Sequence, residues 1–104
     1  MWLIALVSAL SAPATALPAF PIDMVTEYCW DGVPCGEVEW TLDEDGTGED
    51  SSGNDARWRY RRSTLRWEYT ETGTTYLGTF DGECFVGEMR RLSGDFGTFT
   101  ACRS

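Results

Sequence analysis

Residues 69–104 read YTETGTTYLGTFDGECFVGEMRRLSGDFGTFTACRS. Aromatic residues alternate there with small or polar ones, and Thr72-Gly73, Asp81-Gly82 and the segment around Leu92-Ser93-Gly94 interrupt the run. Alternation of period two broken by short turn signals is the pattern of an antiparallel β-meander. A two-residue turn at Asp81-Gly82 sets Phe80 against Glu83, Gly78 against Phe85 and Tyr76 against Gly87. A turn at Thr72-Gly73 sets Tyr69 against Tyr76, Trp67 against Gly78 and Leu65 against Phe80. The last turn sets Met89 against Gly97, Gly87 against Phe99 and Phe85 against Ala101.

All three registers put Leu65, Trp67, Tyr69, Tyr76, Phe80, Phe85, Met89, Phe99 and Ala101 on one face. The other face is mostly threonine and charge. A slip of one residue would exchange the faces, so their agreement supports the assignment. Gly78 and Gly87 fall opposite aromatics in this register, where a missing side chain leaves room for a ring.

The same alternation extends upstream. Arg57-Trp58-Arg59-Tyr60-Arg61 turns aromatics inward and arginines outward, and a turn over Arg61–Thr64 brings Trp58 to Trp67 and Tyr60 to Leu65. Glu37-Val38-Glu39-Trp40-Thr41-Leu42 points Val38, Trp40 and Leu42 inward. Pairing these two segments directly sets Trp40 against Trp58, Glu39 against Arg59 and Glu37 against Arg61. Residues 20–28 (FPIDMVTEY) form a first strand with Ile22, Met24 and Thr26 in phase. The expected fold is therefore all-β: an antiparallel up-and-down meander of six to seven strands, closing into a barrel that removes exposed edges. A two-layer sandwich is the alternative.

Residues 1–19 (MWLIALVSALSAPATALPA) are apolar, lack acids and end in small residues and prolines, which is the pattern of a secretory signal peptide. Pro13 and Pro18 break a run already short for a membrane span. The remaining 20–104 make a single β domain, small enough to benefit from covalent bracing. Cys29, Cys35, Cys84 and Cys102 are expected to form disulfides in an oxidising compartment, so the mature chain is expected to be periplasmic or secreted. The register sets Cys84 against Cys102, leaving Cys29 with Cys35; the two crossed connectivities stay open.

The chain has 17 acids against 8 basic residues, all of them arginine, and no histidine. Arginine without lysine suggests a GC-rich bacterial source. A net charge of −9 opposes nucleic-acid binding, which needs a basic stripe. Without histidine there is no Ser-His-Asp triad, and without lysine no Schiff base. With no acid expected on the inward face for burial to tune, no enzymatic activity is expected.

Eleven acids and no base lie between Asp23 and Asp55. Residues 43–55 (DEDGTGEDSSGND) hold six acids, three glycines and no hydrophobic residue, the composition of a hydrated loop. Asp43, Asp45, Glu49 and Asp50 are candidate calcium ligands there, although the EF-hand spacing is incomplete. The row Trp40, Trp58 and Trp67 reads as core in preference to a ligand platform. Arg57, Arg59, Arg61, Arg62 and Arg66 form an outward group expected to pair with the acidic half. Trp30, between the first two cysteines, is the candidate partner contact.

Glu27-Tyr28-Cys29 near the mature start, together with Cys102 near the end, resembles periplasmic lysozyme inhibitors of the MliC type. That resemblance implies a small envelope barrel acting as an inhibitor, and it carries no site residue over. The expected role is a binding or inhibitory module for an envelope protein or glycan, monomeric or weakly dimeric. The alternatives are a structural or accessory envelope protein without a small ligand, or calcium binding through 43–55.

Overall fold

The computed structural model describes residue 17 and residues 19–104. The leader expected over residues 1–19 falls almost wholly outside the described residues. Eight antiparallel strands follow in sequence order: β1 (Ile22–Trp30), β2 (Gly36–Leu42), β3 (Thr47–Asp50), β4 (Asp55–Arg61), β5 (Thr64–Tyr69), β6 (Thr75–Phe80), β7 (Cys84–Arg90) and β8 (Phe96–Arg103). Each pairs with the next, and β8 pairs back onto β1 from Met24↔Arg103 to Trp30↔Gly97, so the sheet closes into an up-and-down barrel. Closure leaves no unpaired edge for another chain to add to.

The eighth strand is β3, inside the segment expected to be a hydrated loop. Alternation of hydrophobicity cannot reveal it, because its two inward residues are Gly48 and Asp50. Its presence overturns the direct pairing of β2 with β4. Instead β2 pairs with β3 (Trp40↔Asp50) and β3 with β4 (Gly48↔Ala56). Trp40 therefore does not oppose Trp58, and Glu37 and Glu39 do not oppose Arg61 and Arg59.

Two hairpin registers differ from expectation by two residues, which preserves the faces. The β6–β7 pair runs Phe80↔Phe85, Gly78↔Gly87 and Tyr76↔Met89. The turn is longer than Asp81-Gly82 alone because the Asp81 carboxylate accepts the N–H groups of Glu83 and Cys84 at 2.9 and 2.8 Å. That side-chain cap is the usual device of aspartate in a turn. The β5–β6 pair runs Trp67↔Tyr76 and Leu65↔Gly78, its loop closed by Gly73 N–H donating to the Tyr69 carbonyl. The β4–β5 register (Trp58↔Trp67, Tyr60↔Leu65) and the β7–β8 register (Met89↔Gly97, Gly87↔Phe99) are as expected.

The inward face is the core. Trp40, Leu42, Leu65, Trp67 and Ala101 are fully buried, with Met24, Phe85, Met89 and Phe99 nearly so. Trp40 stacks on Trp67 (centroids 4.5 Å, 17° between planes), and Tyr76 meets Trp40 edge-on at 4.8 Å. These rings fill the lumen at mid-height. Gly78 and Gly87 face each other, yet the purpose expected of them holds at Gly78. A Cβ there would come within 2.7 Å of the Phe99 ring tip, so the absent side chain is what admits that ring.

Both disulfides are the sequential ones, Cys29–Cys35 and Cys84–Cys102. The second staples neighbouring strands near the end where the chain enters and leaves. Phe20 stacks on Trp58 (5.4 Å) at that end, and the Trp58 indole N–H reaches the carbonyls of Asp43 and Thr47. Two disulfides in so small a barrel are compatible with an oxidising environment.

Candidate functional site at the barrel mouth

The end opposite Phe20 and Trp58 carries the β1–β2, β3–β4, β5–β6 and β7–β8 loops. Between them lies an open recess of about 360 Å³, with Tyr28, Trp30, Asp50, Tyr69, Tyr76 and Arg91 in its lining. The Trp40–Trp67 stack lies below this recess, so it is the unfilled top of an otherwise packed lumen.

Each wall residue is placed by strand geometry. Tyr28 pairs with Gly36, and its ring lies across that glycine: a Cβ at Gly36 would be 2.5 Å from the phenol oxygen. Trp30 ends β1 inside the Cys29–Cys35 ring and is half-buried. The Arg91 guanidinium sits 3.9 Å from the Trp30 ring centroid and bonds to Asp95 at 3.2 Å. Cation–π contact and ion pair together fix both side chains at the rim.

Asp50 is the residue that sequence reasoning placed in solvent. It is 7% exposed and inward-facing, which corrects the expectation of an inner wall without acids. Its Oδ1 accepts the N–H groups of Ser52 and Asn54, each at 2.9 Å, and its Oδ2 accepts the Asn54 side-chain amide at 3.0 Å. Burial alone would raise its pKa. The hydrogen bonds from Asn54, the Tyr69 hydroxyl and Ser52 outweigh burial and hold the carboxyl below the usual carboxylate range. Trp40 Nε1–H in turn donates to the Tyr69 oxygen at 3.0 Å. Tyr69 thus ties the core indole to the polar lining of the mouth, where Asp50 stands.

Burial pushes the Tyr69 and Tyr76 hydroxyls well above the ordinary tyrosine value. For Tyr69 the neighbouring Tyr76 and Asp50 add to the shift; for Tyr76, Tyr28 and Asp50 do. Both remain neutral at ordinary pH, offering one donor and one acceptor each. The mouth therefore presents aromatic surface, neutral hydroxyls, carboxylates at Glu37, Asp50 and Glu71, and the guanidinium of Arg91.

The four candidate calcium ligands are not gathered into one site. Asp45 is turned to Thr47, whose N–H and hydroxyl it accepts at 3.0 and 2.6 Å; those bonds, the hydroxyl first, lower its pKa. Glu49 and Asp50 leave β3 on opposite faces, and Asp43 lies at the far end of the barrel. Among the described residues no three His, Cys, Asp or Glu side chains converge on a metal-sized position. Of the predicted aromatic row, Trp40 and Trp67 are core, while Trp58 plugs the opposite end.

The signal that could have found Asp50 is local. Asp50-Ser51-Ser52-Gly53-Asn54 is an aspartate followed by turn formers, the pattern of a side chain capping its own turn. No family model matches the chain, and no curated protein matches it.

Proposed function

We propose that the protein is an exported binding or inhibitory module that takes its partner, a glycan or a loop of an envelope protein, at the barrel mouth. The observation that carries this reading is the recess itself. A packed eight-stranded barrel has no structural need for a hollow end lined by Tyr28, Trp30, Tyr69 and Tyr76 around a buried carboxylate. Aromatic walls with a few fixed polar groups are the usual make-up of a recognition site. Sugars fit that make-up because their C–H faces stack on rings while their hydroxyls bond to carboxylate and phenol. Trp30 and Arg91, braced on each other at the rim, form a rigid contact of the kind that dominates interfaces.

A thermal-shift screen of the oxidised protein against cell-envelope oligosaccharides and lysozymes tests this. A ligand present at a hundred times its Kd stabilises by about 2.7 kcal/mol and raises the melting temperature by several degrees. The shift is expected to vanish in Trp30→Ala and in Tyr28→Ala. A shift that survives both substitutions, or no shift with any member of the panel, would overturn the mouth as the site. A pull-down from envelope extract, with Trp30→Ala as control bait, addresses a protein partner by the same logic.

A further inference from the structure

The arginines expected to pair with the acidic half do not do so. Arg57, Arg59 and Arg61 project outward from β4, Arg66 projects outward from β5, and Arg62 occupies the turn between them; all five are exposed. Arg59 stands directly opposite Arg66, an unfavourable like-charge pairing across two strands. Among the described residues the ion pairs are Arg66–Glu68 and Arg91–Asp95, so four of the five carry no carboxylate partner within 4 Å. Between them lies a shallow recess lined by Arg59, Tyr60, Arg61, Arg62, Thr64 and Arg66.

The hairpin holds a second costly feature. Arg62 and Ser63 both adopt positive φ, at 51° and 68°, in a two-residue turn where asparagine and glycine are the ordinary choices. Backbone strain of this kind persists where the surroundings hold it and concentrates at functional sites. Next to the arginines two exposed aliphatics stand singly among polar residues, Leu77 between Thr75 and Thr79 and opposite Glu88. Leu77, paired with Arg66, is 52% exposed, and Val86, one strand further on, is 51% exposed.

We propose that this face docks on a membrane surface rich in anionic phospholipids, the arginines of β4 and β5 meeting headgroup phosphates while Leu77, on the next strand, enters the interface at the edge of the face. Guanidinium forks match phosphate oxygens bidentately. An outer wall of arginines beside isolated aliphatics has the composition of a peripheral membrane contact. The acids of β1 and β2 lie two to three strand spacings from β4, roughly 9–14 Å around the wall, about a Debye length or more at physiological salt. Glu68, opposite Arg57, and Asp55 with Glu49 at the mouth end of β4 and β3 stand nearer, so the five arginines keep a positive excess only over the Arg59–Arg66 part of the face. The acidic β1–β3 side and the arginine side also make the barrel bipolar, which orients it with β4–β5 toward an anionic plane. This surface is separate from the mouth, so it can hold the module at a membrane while the mouth stays free.

Co-sedimentation of the oxidised protein with phosphatidylcholine vesicles, with and without phosphatidylglycerol, tests the proposal. Binding is expected on the anionic vesicles alone and should weaken with added salt. Arg59→Gln with Arg61→Gln should lose more than tenfold, at about fivefold per arginine; Leu77→Asn should lose a smaller factor. Glu39→Gln, on the acidic side, should not weaken binding. Both arginines are exposed, so an unchanged melting temperature confirms that the double variant is folded. Equal binding to neutral vesicles would overturn the proposal, as would anionic-vesicle binding that the double variant retains. Binding of free tripolyphosphate without vesicle binding would assign the face to a soluble anion. Arginine-dependent self-association without vesicle binding would assign it to a second copy.

Discussion

Replacing Asp50 by asparagine tests whether a single carboxylate organises the mouth. The change keeps shape and volume but removes the charge. Asparagine can still offer its carbonyl oxygen to the Ser52 and Asn54 N–H groups, which now meet Oδ1 at 2.9 Å. Its amide nitrogen would face the Asn54 amide that now donates to Oδ2 at 3.0 Å, donor against donor. Hydrogen bonds to a charged group contribute about 1.5–3 kcal/mol, against about 0.5–1.5 for neutral pairs. Weakening two and losing one, with allowance for non-additivity, predicts a loss of about 2–3 kcal/mol at pH 7. That is a large share of the stability of a domain this small.

The pH dependence supplies the sharper test. The folded pKa of Asp50 is depressed below an unfolded value of about 3.9. Its stabilisation is therefore complete above that value and disappears as pH falls through the folded pKa. Asp45 and Asp81 are depressed as well, Asp81 chiefly by the Cys84 N–H. Both are present in the two proteins, so they cancel in the difference. Urea unfolding of wild type and Asp50→Asn should show the gap at pH 7 and its narrowing as pH falls below about 4, with equal m-values. A gap under about 0.5 kcal/mol at pH 7, or one that acid leaves unchanged, would refute the assignment.

Three further outcomes follow from the packing and the charges. Gly87→Ala should destabilise more than Gly78→Ala, because its Cβ would strike the Leu77 carbonyl and the Gly78 Cα whereas at Gly78 the obstacle is the Phe99 ring; denaturant unfolding should show about 1–3 kcal/mol for Gly78→Ala and a larger loss for Gly87→Ala. Tyr69 and Tyr76, held neutral first of all by burial, should contribute stability that is present below about pH 10 and lost as pH rises further, with Tyr69→Phe and Tyr76→Phe each removing a late step from the phenolate absorbance titration. Millimolar calcium should leave the melting temperature unchanged, because Glu49 and Asp50 diverge from β3; a calcium-dependent rise lost in Asp45→Asn would show that the loop gathers ligands on binding.

The legible parts of this fold are those where burial acts on apolar side chains. From Leu65 to Ala101 the inward positions of each strand carry rings or aliphatics, with Gly78, Gly87 and Gly97 between them, and register errors of two residues leave that face intact. The errors arose where polar side chains set the geometry. At Asp81 a carboxylate capping two N–H groups lengthens a turn that the Asp-Gly dipeptide alone makes short. At β3 the inward residues are glycine and aspartate. Gly48 lies under the edge of the Trp67 ring, where a Cβ would be 2.8 Å away, so packing demands the smallest residue where periodicity seeks a large one. Asp50 is inward because its own turn satisfies it, an arrangement invisible to any scale that treats aspartate as exposed.

The misplaced strand and the misread charges have one cause. Omitting β3 brought β4 next to β2, and that false neighbour neutralised Arg59 and Arg61 with Glu39 and Glu37. Restoring β3 separates them and leaves Arg59 against Arg66. Among the described residues Glu68 is the one carboxylate left to this group, paired with Arg66 and opposite Arg57, and Arg59, Arg61 and Arg62 are left without a carboxylate within 4 Å. The same strand delivers Asp50 to the mouth. A four-residue segment without a single apolar side chain thus creates both surfaces from which a function can be argued: the buried carboxylate among tyrosines and the arginine face, paired only at Arg66 among its five arginines.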